Sequence, residues 1–421
     1  MTTTTTAPIR PRQEPRATDL ITEVFSGTPG KLRIFGAVAV IACLAFGGFG
    51  FWIVQHLNGA LRDERAHAAQ LVRVQAIQTN IYKADANATN AFLVGGGEPP
   101  ATRQTYVSSI ADAAAILAEA ANADGKGAEA LRSVNQVLVN YTGLVESARA
   151  NNRQNFPIGA AYLRQASKTI REDALPELDK LVLSEQARVD SASDEVTQAQ
   201  TQLLVLLAIV VIALLVTQFY LYRKTRRVLN KPLVLATFMV VASGLFATAL
   251  IGWARDREDK AREGPYAQTV ALATARIAGF DGKSAESLYL ISRGSGPEWE
   301  ERFQTVAAAG NEALVQADDG ATRNAFEAYI AQHEQVQNRE TNGQHDEAIK
   351  LATGTGAANK AFAAFDTLSA DNLQAEADDL ANDLNDARQP LLALALLLLV
   401  VGLISALVSR RGIAQRLQEY R

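Results

Sequence analysis

The chain has one cysteine, Cys43, so no disulfide can close within it and no cysteine-based metal site can form. Histidine is nearly as scarce, and His56, His67, His333 and His345 complete the set. None stands in an HExxH or His-x-x-x-His pair, and their spacings match no zinc signature. Thr353-Gly354-Thr355-Gly356, followed by Lys360, lacks the preceding strand that a phosphate loop needs. A helix irregularity is the expected reading there. The acid pairs Asp378-Asp379 and Asp383/Asp386 read as a solvated helix face. No nucleophile, base or metal constellation emerges, so no catalytic, cofactor-binding or metal residue is assigned and an enzyme is not expected.

Charge is missing along four whole stretches. Runs 34–54, 203–222, 233–253 and 391–408 contain no Asp, Glu, Lys or Arg. At about 1.5 Å per residue each can cross a hydrocarbon core of roughly 30 Å, which excludes a soluble enzyme. The first run exceeds a signal-peptide core in length, and no small-x-small cleavage site follows Val54, so it reads as an uncleaved span. The spans hold no ionisable group, which argues against a transport pathway. Their polar residues, Thr217, Gln218, Thr237, Ser243, Thr248 and Ser405, suit helix–helix contacts.

What is present sorts by side. The N-terminal tail 1–33, the link 223–232 and the tail 409–421 together carry 14 basic and 4 acidic residues. Segment 55–202 has 14 basic and 17 acidic residues, and segment 254–389 has 13 and 24. The positive-inside rule therefore predicts a multi-pass plasma-membrane protein with cytoplasmic termini and two long extracytoplasmic segments. Just beyond the third span, Arg255, Arg257, Lys260 and Arg262 interleave with Asp256, Glu258, Asp259 and Glu263, the spacing of helical ion pairs.

The two long segments echo each other. At an offset of 197, Ala88 meets Ala285, Phe92 meets Tyr289, Leu93-Val94 meet Leu290-Ile291, Gly97 meets Gly294 and Pro100 meets Pro297. Ordered matches of this kind indicate an internal duplication. Breaks at 95–100, 124–127 and 151–157, then at 294–297, 318–320 and near 341–343, cut each segment into four helices. Leu175, Val182, Val189, Val196 and Leu203 form a heptad seam with Glu185 as its polar exception. Leu373, Ala377, Leu380, Leu384, Ala387 and Leu391 form its counterpart, and Pro390 at the following junction can bend or cap the entry to the fourth span. The expected fold is an all-α membrane protein: spans 34–54, 203–222, 233–253 and 390–408, with four-helix bundles over 55–202 and 254–389.

The stretch Asp85–Gly97 and its partner Ala285–Gly294 resemble four-helix-bundle chemoreceptor sensor domains. No HAMP-like module, kinase or methyl-accepting hairpin follows, so output would pass to a recruited partner. With Thr28-Pro29-Gly30-Lys31-Leu32-Arg33 before the first span, tandem bundles and four spans, the chain resembles the actinobacterial GlnX family. That resemblance implies a non-enzymatic signal coupler between an extracytoplasmic glutamate/aspartate-binding lipoprotein (GlnH) and a cytosolic Ser/Thr protein kinase (PknG). No nucleic-acid partner and no cofactor is expected. The alternatives are a direct small-molecule sensor, for which Arg73, Arg103, Arg276 and Arg293 could grip a carboxylate, and a membrane scaffold.

Three expectations about contacts follow. The two bundles should pack side by side through their first helices, near Gln78 and Thr274. A partner should dock on a polar, uncharged rim made by the first and third turns: Gly95, Gly96, Gly97, Asn151, Asn152 and Asn155 in one copy, and Gly294, Gly296, Asn342 and Gln344 in the other. Small residues at four-residue spacing, Ala39, Cys43 and Gly47 with Gly244, Thr248 and Gly252, should join spans one and three as a central pair.

Overall fold

The computed structural model describes residues 27–94, 98–123, 125, 127–154, 157–225, 230–293 and 296–418, and no strand occurs among them. The helices are α1 (Gly27–Leu93), α2 (Pro100–Ala123), α3 (Ala128–Arg153), α4 (Ile158–Thr169), α5 (Leu175–Thr225), α6 (Lys231–Ala261), α7 (Ala267–Ile291), α8 (Pro297–Gln316), α9 (Gly320–Thr341), α10 (His345–Ala352) and α11 (Ala357–Gln418). Single π-helical turns, Ile170–Ala174 and Arg262–Tyr266, join α4 to α5 and α6 to α7. Four of these helical stretches are long and apolar enough to cross a membrane, so the chain is an all-α membrane protein. It divides into two compact units: a span unit (up to 58, 197–253 and from 389) and a paired-bundle unit (59–196 and 254–388).

In the paired-bundle unit each half supplies four helical layers. The first half builds its core from aliphatic residues at helical spacing. Val74, Ile77 and Ile81 of α1 lie buried with Leu131, Val134 and Leu138 of α3 and Leu163 of α4. The second half is aromatic. The Phe303 and Tyr329 rings meet edge-on at 5.8 Å, and Phe326 and Phe365 lie 4.8 Å apart. Gly279 sits where the Phe365 ring passes, so a Cβ there would collide with it. One continuous buried cluster runs through both halves. The first helices touch, with Gln75 Nε2 donating to the Val270 carbonyl at 3.5 Å, while Gln78 turns inward to Asp179 at 2.7 Å.

The fourth layer of the second half is broken, because α10 ends at Ala352 and α11 begins at Ala357. Gly354 there has φ +53°, a conformation that side chains with a Cβ disfavour. The π turn at Arg262–Tyr266 surrounds Pro265, which lacks an N–H and crowds the preceding turn, so the wider turn relieves the clash. Pro390 lies inside the continuous α11 instead of ending a helix. The interleaved charges beyond the third span form the expected pairs, such as Lys260–Asp256 at 2.6 Å. Glu185, the polar exception in the heptad seam, is buried and paired with His67 at 2.8 Å and Arg188 at 2.7 Å.

The span unit corrects the expected central pair. Gly47 of α1 faces α11, and a Cβ built on it would lie 3.0 Å from the Gly402 Cα. Ala39 and Cys43 are fully buried on the same face, and the Cys43 Sγ lies 3.8 Å from the Ser409 Oγ. Span one therefore meets span four. Gly244 of α6 instead faces Leu207 of α5, Thr248 bonds back to its own helix at the Gly244 carbonyl, and Gly252 lies against Gln200 of α5. The physical reason is that small residues permit close approach without specifying the partner. Gly402, Ser405, Ala406 and Ser409 supply a second small-residue face on the fourth span. Gln218 donates to the Thr237 hydroxyl at 2.6 Å, fastening α5 to α6. Large apolar side chains such as Ile41, Phe49, Ile209, Phe238 and Leu396 are left exposed on the spans, as lipid-facing residues are.

A Ser409→Cys variant should form a disulfide with Cys43 under mild oxidation, seen as a mobility shift on a non-reducing gel. Gly402→Leu in that background should abolish the shift. Crosslinking that survives Gly402→Leu would show that the glycine contact does not hold the pair.

Candidate functional site

A polar seam lies between the two halves of the paired-bundle unit. Asp85 of α1, fully buried, accepts from the Ser167 hydroxyl at 2.7 Å and from the Ser284 hydroxyl of the second half at 2.5 Å. Arg171, in the first π turn, reaches both Asp85 at 3.4 Å and Asp281 of α7 at 2.9 Å. Its guanidinium also donates to Ser284 at 3.0 Å. Arg302 of α8 closes the far side of Asp281, with Nε at 2.8 Å. Two carboxylates thus meet two guanidiniums, and the buried charges balance. Burial disfavours the charged form of Arg171, but Asp281 and Asp85 outweigh it and hold the guanidinium firmly protonated. Burial, helped by Asp281, keeps the Tyr82 phenol protonated far above its ordinary value.

Two further charged clusters flank the seam. Lys283 and Glu286, both buried on α7, pair at 2.6 Å, and Glu286 also meets His333 of α9 at 2.9 Å. Glu300 takes the other ring nitrogen of His333 at 3.1 Å, and the imidazole stacks on Phe303 with centroids 3.4 Å apart. Burial opposes ionisation of His333, yet hydrogen bonds to Glu286 and Glu300 hold its pKa above the usual value. The Lys283 ammonium also donates to the Ala352 carbonyl at 2.8 Å, which Asn90 of the first half shares at 3.0 Å. At the other end, Glu64 and Glu258 are both buried, one from each half. Burial first, then the charge of Glu258, pushes the Glu64 carboxyl up to about 8.

The expected rim residues fall into two groups. Gly95, Gly96, Gly97, Asn155 and Gly294 lie outside the described residues. Asn151, inside α3, and Asn342, the C-cap of α9, donate back to their own helices at the Ser147 and Asn338 carbonyls, at 2.9 and 2.7 Å. Gln344 accepts from Arg339 at 2.8 Å, and Gly296 precedes α8. Asn152 donates to the Phe92 carbonyl at 3.2 Å, so the first and third turns of the first half share one end. That end is not uncharged: Arg149 pairs with Glu98 at 2.8 Å and with Glu146 at 2.6 Å, and Arg103 lies 3.6 and 3.5 Å from the same two acids. Of the other arginines considered as carboxylate grips, Arg276 is held by Asp366 at 2.7 Å and Arg73 leans on Gln70 at 3.2 Å. Arg293 is exposed with φ +50°.

The seam escaped sequence reading because Asp85, Arg171 and Asp281 lie in three distant segments with no motif linking them. The one available signal was a pair of acids, Asp85 and Asp281, one residue out of register in the repeat.

Residues 60–194 match the family model of the actinobacterial sensor domain. The match supports a sensor protein. No curated protein and no solved structure matches the chain. The matched stretch is the first half of the paired-bundle unit, including Asp85, Ser167 and Arg171.

Arg171→Leu leaves two buried carboxylates without their shared cation and should cost about 3–5 kcal/mol in denaturant unfolding. Ser284→Ala, which removes one hydroxyl, should cost only about 1 kcal/mol. Because the folded state holds the Glu64 proton more tightly than the unfolded chain, its stabilisation is present below pH 4.5 and is lost as pH rises to about 8. Glu64→Gln should therefore narrow the difference in Tm between about pH 5 and pH 9, measured by scanning calorimetry.

Proposed function

We propose that the chain is a non-enzymatic transmembrane signal coupler, with the paired-bundle unit outside the cell and both termini in the cytoplasm. The observation that carries this reading is helix continuity combined with the sensor-domain match. α1 runs 67 residues from Gly27 to Leu93, through the first apolar run and into the residues matched to the sensor domain. Along such a rod a small rotation or shift at one end is passed to the other, because the backbone hydrogen bonds make it stiff. The charge distribution supports the orientation, since the short pieces between and beyond the spans carry the basic excess.

The GlnX resemblance supplies the partners in this reading. An extracytoplasmic amino-acid-binding lipoprotein reports glutamate or aspartate at the turns bearing Asn342 and Gln344, and a cytosolic Ser/Thr protein kinase is recruited by the basic link and tails. A direct small-molecule sensor is the second reading, favoured by an arginine-lined cavity in the first half.

Affinity purification from native membranes should retain both a solute-binding lipoprotein and a kinase, identified by mass spectrometry. Asn342→Glu with Gln344→Glu should release the lipoprotein and leave the kinase bound. Recovery of neither partner with the unaltered chain would overturn the coupler reading. A single cysteine at Asn342, in a Cys43→Ala background, should react with an impermeant maleimide added to whole cells.

A further inference from the structure

The first half of the paired-bundle unit contains a cavity of about 270 Å³ near the turn that carries Glu98. One wall is apolar, formed by Ala88, Ala91, Phe92, Val145, Ala148 and Leu163. The other is cationic. Arg103, Arg149 and Arg153 line it against a single acid, Glu98. Arg149 is only 9% exposed, lies over the Tyr106 ring at 4.1 Å and spends both terminal nitrogens on Glu98 and Glu146. Its Nε is buried and has no hydrogen-bond partner. A buried donor left unpaired on a charged group is costly unless something occupies the site. Arg103 is about half exposed and holds its two acids only loosely, at 3.5–3.6 Å, so its donors can be drawn to a better acceptor. Arg153 is exposed.

We propose that this cavity binds a small carboxylate with a short hydrocarbon body. The carboxylate sits among the Arg103, Arg149 and Arg153 guanidiniums, and the hydrocarbon lies on the Phe92, Val145 and Leu163 wall. Three considerations select this class. The lining carries more positive than negative charge, so an anion is favoured over a cation or a neutral solute. Half of the lining is hydrocarbon, which an inorganic anion would leave uncovered. The volume, about 270 Å³, lies just below the usual ligand-pocket range of about 300–1,000 Å³ and so suits a molecule of a few carbons. This rests on the direct-sensor reading and names its ligand class; direct binding here needs neither lipoprotein nor kinase, so its failure leaves the coupler reading standing, and recovery of neither partner leaves this site standing.

The test is isothermal titration of the full chain in detergent with valerate, pentanol and inorganic phosphate. Valerate should give saturable binding in the millimolar range or tighter, and pentanol and phosphate should bind at least tenfold more weakly. Arg103→Gln and Arg153→Gln, at exposed positions that leave the core untouched, should each weaken valerate about tenfold. Lys168→Gln, on the surface of α4 away from the lining, should change nothing. Norvaline binding more tightly than valerate would keep the class and assign its ammonium to Glu98. No saturable valerate binding, equal binding of pentanol or phosphate, or unchanged affinity in both arginine variants would overturn the proposal.

Discussion

The paired-bundle unit depends on Arg171. Two aspartates, Asp85 and Asp281, are buried where the halves meet, and burial of such groups is costly unless cations and hydrogen bonds meet them. One guanidinium bridges both, and it does so from a π turn, where the extra residue per turn re-aims the side chain. Sliding one half along the other would separate Arg171 from Asp281 and Ser284 from Asp85, leaving each carboxylate only the guanidinium of its own half. The aliphatic and aromatic core around the seam is continuous but non-directional, so it favours contact without choosing a register. The charged seam chooses it.

The span unit solves the opposite problem. In lipid no hydrophobic drive brings helices together, so close packing has to do so. Gly47 against Gly402 allows the backbones of α1 and α11 to approach as side chains elsewhere would forbid, and the Gln218–Thr237 hydrogen bond fastens α5 to α6. The pairings follow the first and last helices of the chain on one side and the two helices flanking the short basic link on the other.

The actinobacterial sensor-domain match covers residues 60–194, and the second half repeats that layout with a different interior. The first half buries Tyr106 and Tyr141 among its aliphatic residues, whereas the second buries Phe303, Phe326, Tyr329, Phe362 and Phe365 together and leaves room for Phe365 and Phe326 at Gly279 and Gly310. The cavity beside Arg149 belongs to the first half. The corresponding region of the second half is filled by Tyr289, Leu290, Val336, Ala348 and Ala352. The first half thus has space near its turns where the second is packed.

The sequence by itself determined the all-helical class and the four apolar stretches long enough to span, because these rest on local quantities: charge-free length, 3.6-residue periodicity, and Gly or Pro at the breaks; the division of the last layer into α10 and α11 it did not give. It also marked Ala39, Cys43 and Gly47 as a packing face, since small residues at four-residue spacing lie on one side of a helix. Only the tertiary structure decided that this face meets Gly402, because a smooth helix surface does not name its partner. The tertiary structure likewise joined Asp85 to Arg171 and Asp281 across 86 and 110 positions of sequence, and showed that the Asn152 end carries Arg103, Arg149, Glu98 and Glu146 instead of an uncharged rim. Pairing between distant side chains depends on register and rotamer, and neither is encoded in the spacing of any one segment.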